Sequence, residues 1–137
     1  TESVTADATT DYARALALQN WFRTEFTYSL DTVEGNATEA LEDFLRDRSG
    51  YCEQFAASMA LMARTLDIPS RVQVGLTPRE QDDDGTWVVT VRYAHAWPEL
   101  WFPGYGWVPF EPTPRADGTV TLPIYTTPAG RVNIARQ

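Results

Sequence analysis

The chain of 137 residues carries 11 basic and 19 acidic side chains, a net charge of −8, and this balance argues against nucleic acid or an anionic membrane surface as its main partner. One cysteine, Cys52, and one histidine, His95, exclude an intrachain disulfide, a cysteine-rich zinc site and a two-histidine metal motif. Any site chemistry therefore works with one thiol, one imidazole and the carboxylates, in a length that fits one domain with a real core.

In chain order, residues 1–10 are small and polar and are expected to be poorly ordered. From Asp11 the spacing of Ala15, Leu18, Phe22 and Phe26 predicts a helix, capped by Thr10 or Asp11. Ser29–Gly35 reads as a loop. Asn36 with Glu39 three residues on resembles a capping pair, opening a shorter helix with Leu41, Phe44, Leu45 and Arg48 on one face, stopped by Ser49-Gly50. A third helix starts near Tyr51-Cys52, after a Gly50 expected to let the chain turn sharply. It carries the stripe Phe55, Met59, Met62 and Leu66, small Ala56, Ala60 and Ala63 for close packing, and ends at Pro69.

The period then changes to two. Arg71 to Leu76 alternates as a strand, Asp82-Asp83-Asp84-Gly85 is a hairpin signal, and Thr86 to Ala96 is expected as the return strand. Pro103-Gly104-Tyr105-Gly106 makes a turn before a short strand, Trp107 to Glu111. Helices first and an antiparallel sheet after them predict an α+β domain. Its expected extent is residues 1–116, with 117–137 a Pro/Gly-containing extended tail or linker. No apolar run approaches the ~18–20 residues of a membrane-spanning helix. The start at Thr1, without an initiator Met, is expected for a soluble piece of a larger protein.

Three short blocks hold the candidate chemistry. In Gly50-Tyr51-Cys52-Glu53, the thiol sits in the first turn of a helix, where the positive dipole end favours a thiolate; the alternative is a small buried apolar residue. In Tyr93-Ala94-His95-Ala96-Trp97, His95, Trp97 and Glu99 share one face of a strand and Ala94 and Ala96 the other; the alternative is an ordinary strand histidine. In Trp107-Val108-Pro109-Phe110-Glu111-Pro112, a carboxylate is fixed between an aromatic and a proline; the alternative is a surface glutamate. Together they are more specific than apart. A thiol nucleophile needs a base, and the base needs a carboxylate to fix its tautomer.

The runs GYCEQFAASMALMARTLDIPSRVQVG and HAWPELWFPGYGWVPFEPTP strongly resemble the bacterial transglutaminase-like domains of the papain-like cysteine superfamily. The resemblance spans Ala13 to Arg115 and is most similar to the extracytoplasmic domain of multi-pass bacterial membrane proteins. It implies a papain-like core in which the nucleophile helix packs on an antiparallel sheet, and a location on the extracytoplasmic face of a bacterial membrane, with any membrane contact made by segments outside these residues. It also implies Cys52 as nucleophile, His95 as base and Glu111 as orienting acid. The acid in that superfamily is most often Asp; Glu111 is one methylene longer, and Glu99 is the alternative acid.

The implied activity is acyl transfer from a glutamine-type amide of a protein or peptide through a thioester, with an amine or water as acceptor. The alternatives are a cysteine protease or amidase with the same triad, and a non-catalytic binding or scaffolding module with a vestigial one. Tyr51, Trp97 and Trp101 are candidate cleft walls, or else core aromatics. The Cys52 N–H is one oxyanion donor, with Tyr28, Trp21 and Gln54 as candidates for the second. No cofactor and no metal are expected: the Asp82–Gly85 run lacks the following glutamate of a calcium loop and reads as an exposed hairpin turn.

Overall fold

Thr10 accepts a hydrogen bond from the Ala13 amide (3.1 Å), and so caps the helix Asp11–Glu25. The same device recurs at Asn36, whose Oδ1 accepts from both Thr38 and Glu39 N–H at 3.1 Å and opens the helix Ala37–Asp47. A computed structural model describes residues 1–31, 36–76, 80–89 and 91–114 of the chain. In order the elements are α1 (Glu2–Thr5), α2 (Asp11–Glu25), β1 (Thr27–Tyr28), α3 (Ala37–Asp47), β2 (Ser49–Gly50), α4 (Cys52–Arg64), β3 (Ser70–Leu76), β4 (Glu80–Gln81), β5 (Trp87–Val88), a 3₁₀ turn at Val91–Tyr93, β6 (Ala94–Phe102) and β7 (Gly106–Pro109). The expected tail 117–137 and most of the Ser29–Gly35 loop lie outside the described residues.

The helices close around an aromatic cluster. Phe22 of α2, Phe26 just after it, Phe44 of α3 and Phe55 of α4 pack mutually, with Phe44 and Phe55 edge to face at 4.8 Å. Edge-to-face pairs of this kind add about 0.5–1.5 kcal/mol beyond the area they bury. The expected stripes face this core: Ala15, Leu18 and Phe22 of α2, and Phe55, Met59 and Met62 of α4, are all buried. α4 touches α2, α3, β3 and β6 at once, the central position that its run of alanines permits.

The main sheet has the order β3-β6-β7, antiparallel throughout. Its register pairs Ser70 with Leu100, Gly75 with His95, and Glu99 with Pro109. Ala96, Leu100 and Phe102 are buried residues of β6, as the two-residue period requires of the side turned to α4. Arg64 ties the end of α4 to the start of β3, donating to Ser70 O at 2.7 Å, while the Ser70 hydroxyl donates to Ala60 O at 2.6 Å.

Several expectations are corrected. The first residues are not irregular: Glu2–Thr5 is a helix that packs on α2, and Thr5 is buried. α3 is stopped by Arg48, which takes the left-handed conformation (φ 53°), while Ser49–Gly50 pairs in parallel with Thr27–Tyr28. α4 ends at Arg64, not at Pro69; Asp67 turns the chain at φ 60° and the Ile68 N–H returns to Ala63 O. Asp is one of the few residues that adopts this conformation readily. The return strand is Ala94–Phe102, not Thr86–Ala96. The apolar run Trp87-Val88-Val89 does not join the core: Trp87, Val89 and Val91 are exposed, and β4 and β5 form a separate two-stranded hairpin.

Gly50 has a different reason from the one expected. Its φ is not positive. A Cβ there would meet the Phe44 ring at 2.6 Å and the Gln54 side-chain oxygen at closer range still. Gly50→Ala should therefore destabilise the fold by about 1–3 kcal/mol, the usual cost of overpacking. Urea denaturation checks this, and an unchanged midpoint would mean that the close approach does not constrain the backbone beside Cys52.

Candidate active site

Cys52 is the first residue of α4, directly after the N-cap Tyr51. Gln54 reaches back to accept the Tyr51 N–H at 3.2 Å, and its Nε2 donates to Ala40 O at 3.4 Å. The helix start is thus locked to α3. The first N–H groups of a helix have no intrahelical acceptor, so the Cys52 N–H is available at the same corner as its thiol.

His95 stands on β6. Its Nε2–H donates to Glu111 Oε2 at 2.6 Å, with only 4% of His95 and 5% of Glu111 exposed. With Nε2 taken, Nδ1 is left buried without a hydrogen-bond partner among the described residues, and the Cys52 thiol lies close enough to the ring to act on its charge. Glu111 follows β7, and the Phe110 N–H bonded to Pro98 O (2.9 Å) carries the pairing with β6 past the end of the strand. Three elements therefore converge on one point: the start of α4, the start of β6 and the exit from β7.

Glu111 is fixed from every side. Its N–H donates to Gln19 Oε1 of α2 at 2.8 Å, and the Thr113 N–H donates to Glu111 Oε1 at 3.1 Å. Arg23, one turn beyond Gln19, donates to Glu111 O at 3.3 Å and to Thr113 O at 2.7 Å. A short carboxylate–imidazole hydrogen bond with both partners immobilised is the geometry that holds an imidazolium.

The electrostatics follow from these contacts. Burial alone would raise the Cys52 pKa, but the neighbouring His95 ring, its charge and the Ala96 N–H together outweigh it and hold the thiol below its ordinary value. Burial likewise opposes charge on His95, yet its hydrogen bond to Glu111, the neighbouring Cys52 thiol and the negative charge of both push it up to about 9. The two shifts run in complementary directions, the thiol toward thiolate and the ring toward imidazolium.

The remaining sequence candidates are distributed as follows. Tyr51 flanks the thiol and its hydroxyl lies 3.5 Å from Glu53. Trp97 stacks on the His95 ring, centroids 6.2 Å apart and planes 24° from parallel. Trp101 is not brought to the thiol: it is six residues further along β6, roughly 20 Å at strand rise, and packs on Trp107. Glu99 is bonded to Arg71 (2.7 Å) and Gln73 (3.3 Å) and not to His95. Of the candidate oxyanion donors, Gln54 is committed to Tyr51 and Ala40, Trp21 packs on Phe22 and Phe26, and Tyr28 pairs with Gly50 in the β1–β2 ladder. Among the described residues no group of three His, Cys, Asp or Glu side chains could hold a metal ion, and Asp82–Gly85 is a hairpin turn closed by Asp82 N–H to Thr86 O at 2.8 Å.

Gln19, Arg23 and Thr113 were not among the sequence candidates. The available signal was Gln19 itself, a polar side chain on the helix face that carries Ala15, Leu18 and Phe22, where it must find a buried partner.

Because His95 binds its proton more tightly folded than unfolded, its contribution to stability is complete below about pH 6.5 and is lost as pH rises through about 9. Glu111→Gln, which removes the carboxylate charge from the ring, should therefore destabilise the protein more at pH 6 than at pH 9.5. Urea unfolding at the two pH values checks this, and an equal loss at both would contradict a charged His95.

The description of the Transglutaminase-like superfamily matches residues 1–112. The chain is 37% identical over 101 residues to a protein-glutamine gamma-glutamyltransferase of Pseudomonas aeruginosa, covering 72% of this chain and 15% of that protein. It is 36% identical over 96 residues to the Bacillus subtilis protein YebA, covering 64% of this chain and 13% of that one. Among solved structures, the periplasmic domain of TgpA from Pseudomonas aeruginosa superposes with a TM-score of 0.70 at 34% identity, over 81% of this chain and 41% of that domain. A protein from Cytophaga hutchinsonii shares the fold at a TM-score of 0.60 and 21% identity, over 82% of this chain and 35% of its own. No helix among the described residues is long and apolar enough to cross a membrane.

Proposed function

The chain belongs to the transglutaminase-like superfamily, and from that premise we propose that it is a cysteine-nucleophile acyl transferase acting on amides of the glutamine type. The observation that carries this reading is the 2.6 Å bond from His95 to a buried, immobilised Glu111, beside the one thiol of the chain. The relative named as a protein-glutamine gamma-glutamyltransferase supports the same substrate class.

In the proposed reaction the Cys52 thiolate attacks the side-chain amide carbon and a tetrahedral oxyanion forms. The Cys52 N–H donates to that oxygen, a contact of the kind worth about 2.7–4 kcal/mol in the barrier. The His95 imidazolium gives its proton to the leaving nitrogen, ammonia departs, and a thioester remains on Cys52. An acceptor amine then attacks the thioester carbonyl, His95 takes the proton from its nitrogen, and the thiolate leaves. The products are a substituted amide and ammonia; with water in place of the amine they are a carboxylate and ammonia. Glu111 keeps Nε2 protonated throughout, so that Nδ1 is the nitrogen that gives and takes the proton.

The chain has no lysine, so within these residues the acceptor amine in a cross-link is supplied by another molecule or by a chain terminus. The periplasmic location of the TgpA domain supports an extracytoplasmic site of action for this one.

The reading is tested by incubation with a glutamine-rich protein and a labelled primary amine. Label should be incorporated by the unaltered chain and lost in Cys52→Ala. Release of ammonia without label would mean that water is the acceptor, and no reaction of either kind would favour a binding module. His95→Ala should lower the rate by about 10²–10⁴-fold, the usual worth of a positioned acid–base group, with the folded state retained by circular dichroism. A variant that kept more than a tenth of the rate, about 1.4 kcal/mol, would remove His95 from the mechanism.

A further inference from the structure

One glycine of the sheet has no turn to make. Gly75 lies inside β3, paired in register with His95 of β6, and its φ is not positive. A Cβ built on it would meet Trp97 Cη2 at 2.8 Å and Cζ3 at 3.2 Å. The six-membered ring of Trp97 therefore lies directly over the bare backbone of Gly75. The same Trp97 stacks on His95 at 6.2 Å and 24°, and His95 is 96% buried although its strand begins only one residue earlier.

We propose that Gly75 is a positioning residue for the Cys52–His95 pair: it leaves the seat into which Trp97 settles, and Trp97 holds the imidazole in the plane that lets Nε2 reach Glu111 while Nδ1 faces Cys52. Glycine within a strand costs stability relative to a side chain that packs, and the space that it frees here is filled by the ring that covers the base. Trp97 acts as a wall behind His95. Its polar neighbours on the same face, Glu99, Arg71 and Gln73, bond to one another and leave the ring stack to the aromatic groups. The charged groups that act on the pair come from other elements: Cys52 and Glu53 of α4, and Glu111 after β7 with Arg23 of α2 behind it. Gly75 adds no charge, so its effect passes through shape alone.

The inference rests on the acyl-transfer reading, and it is tested by the pH profile of Cys52 alkylation with iodoacetamide. The proteins compared are the unaltered chain, Gly75→Ala, Trp97→Phe and the double variant, each checked for folding by circular dichroism. In Gly75→Ala the new methyl displaces Trp97, and the rate on the rising, acid limb of the profile should fall by about tenfold, as a one-unit rise in the thiol pKa causes there. Phe has no atoms where Cη2 and Cζ3 of Trp97 meet that methyl. In the Trp97→Phe background, Gly75→Ala should therefore change the rate by less than about twofold.

An unchanged profile in Gly75→Ala overturns the proposal. So does a tenfold loss that persists in the Trp97→Phe background, or a chain that fails to fold in both backgrounds, because the methyl would then act on something other than Trp97. An unaltered chain that alkylates at pH 6 no faster than a free cysteine overturns the acyl-transfer reading itself, and with it the need for a positioned pair.

Discussion

The bond between His95 and Glu111 is the constraint around which the rest of the molecule is arranged. Burying a charged imidazole and a carboxylate costs several kcal/mol per ion. That cost is offset only when the geometry is close and the spare lone pairs are satisfied. Here Oε2 takes the imidazole, Oε1 takes the Thr113 N–H, and the backbone of Glu111 is held by Gln19 and Arg23. α2 is far from the thiol in sequence, yet two of its side chains hold the acid that orients the base. The helix belongs to the core through Leu18 and Phe22, and to the site through Gln19 and Arg23.

The geometry of the thiol follows from a second set of close approaches. Gly50 brings its backbone against Phe44 and Gln54, and Gln54 bridges the N-cap of α4 to α3. The first turn of α4 is thereby pinned, and Cys52 lies where unpaired helix N–H groups, the Ala96 N–H and the imidazole meet. Small residues recur wherever one element must lie close to another: Ala56 and Ala60 in α4, Ala96 in β6, Gly75 under Trp97. Shape thus sets the electrostatics, since a shift of a few tenths of an ångström in His95 would weaken both its bond to Glu111 and its action on the thiol.

Much of this was legible in the sequence. The helix stripes, the Thr10 and Asn36 caps, the antiparallel sheet and the three blocks holding Cys52, His95 and Glu111 depend on local patterns and on a scarcity of alternatives: one thiol and one imidazole leave little choice. The failures have physical causes. Arg48 ends α3, and Asp67 turns the chain beyond α4, in the left-handed conformation, which a sequence marks clearly only when glycine is used. Trp87 to Val91 is rich in strand-forming residues, but composition does not reveal that Trp87, Val89 and Val91 stay in water. Gln19 supports Glu111 across 92 residues of sequence, a contact that no local pattern encodes.

The single histidine makes the central claim directly measurable. In nitrogen-15-labelled protein the one imidazole gives one pair of ring signals, with no competing histidine to assign. If the buried Glu111 and the thiolate hold the proton, the ring remains an imidazolium through neutral pH and titrates near 9. A titration near pH 6.5, the value of an unperturbed histidine, would contradict a thiolate–imidazolium pair and the chemistry built on it.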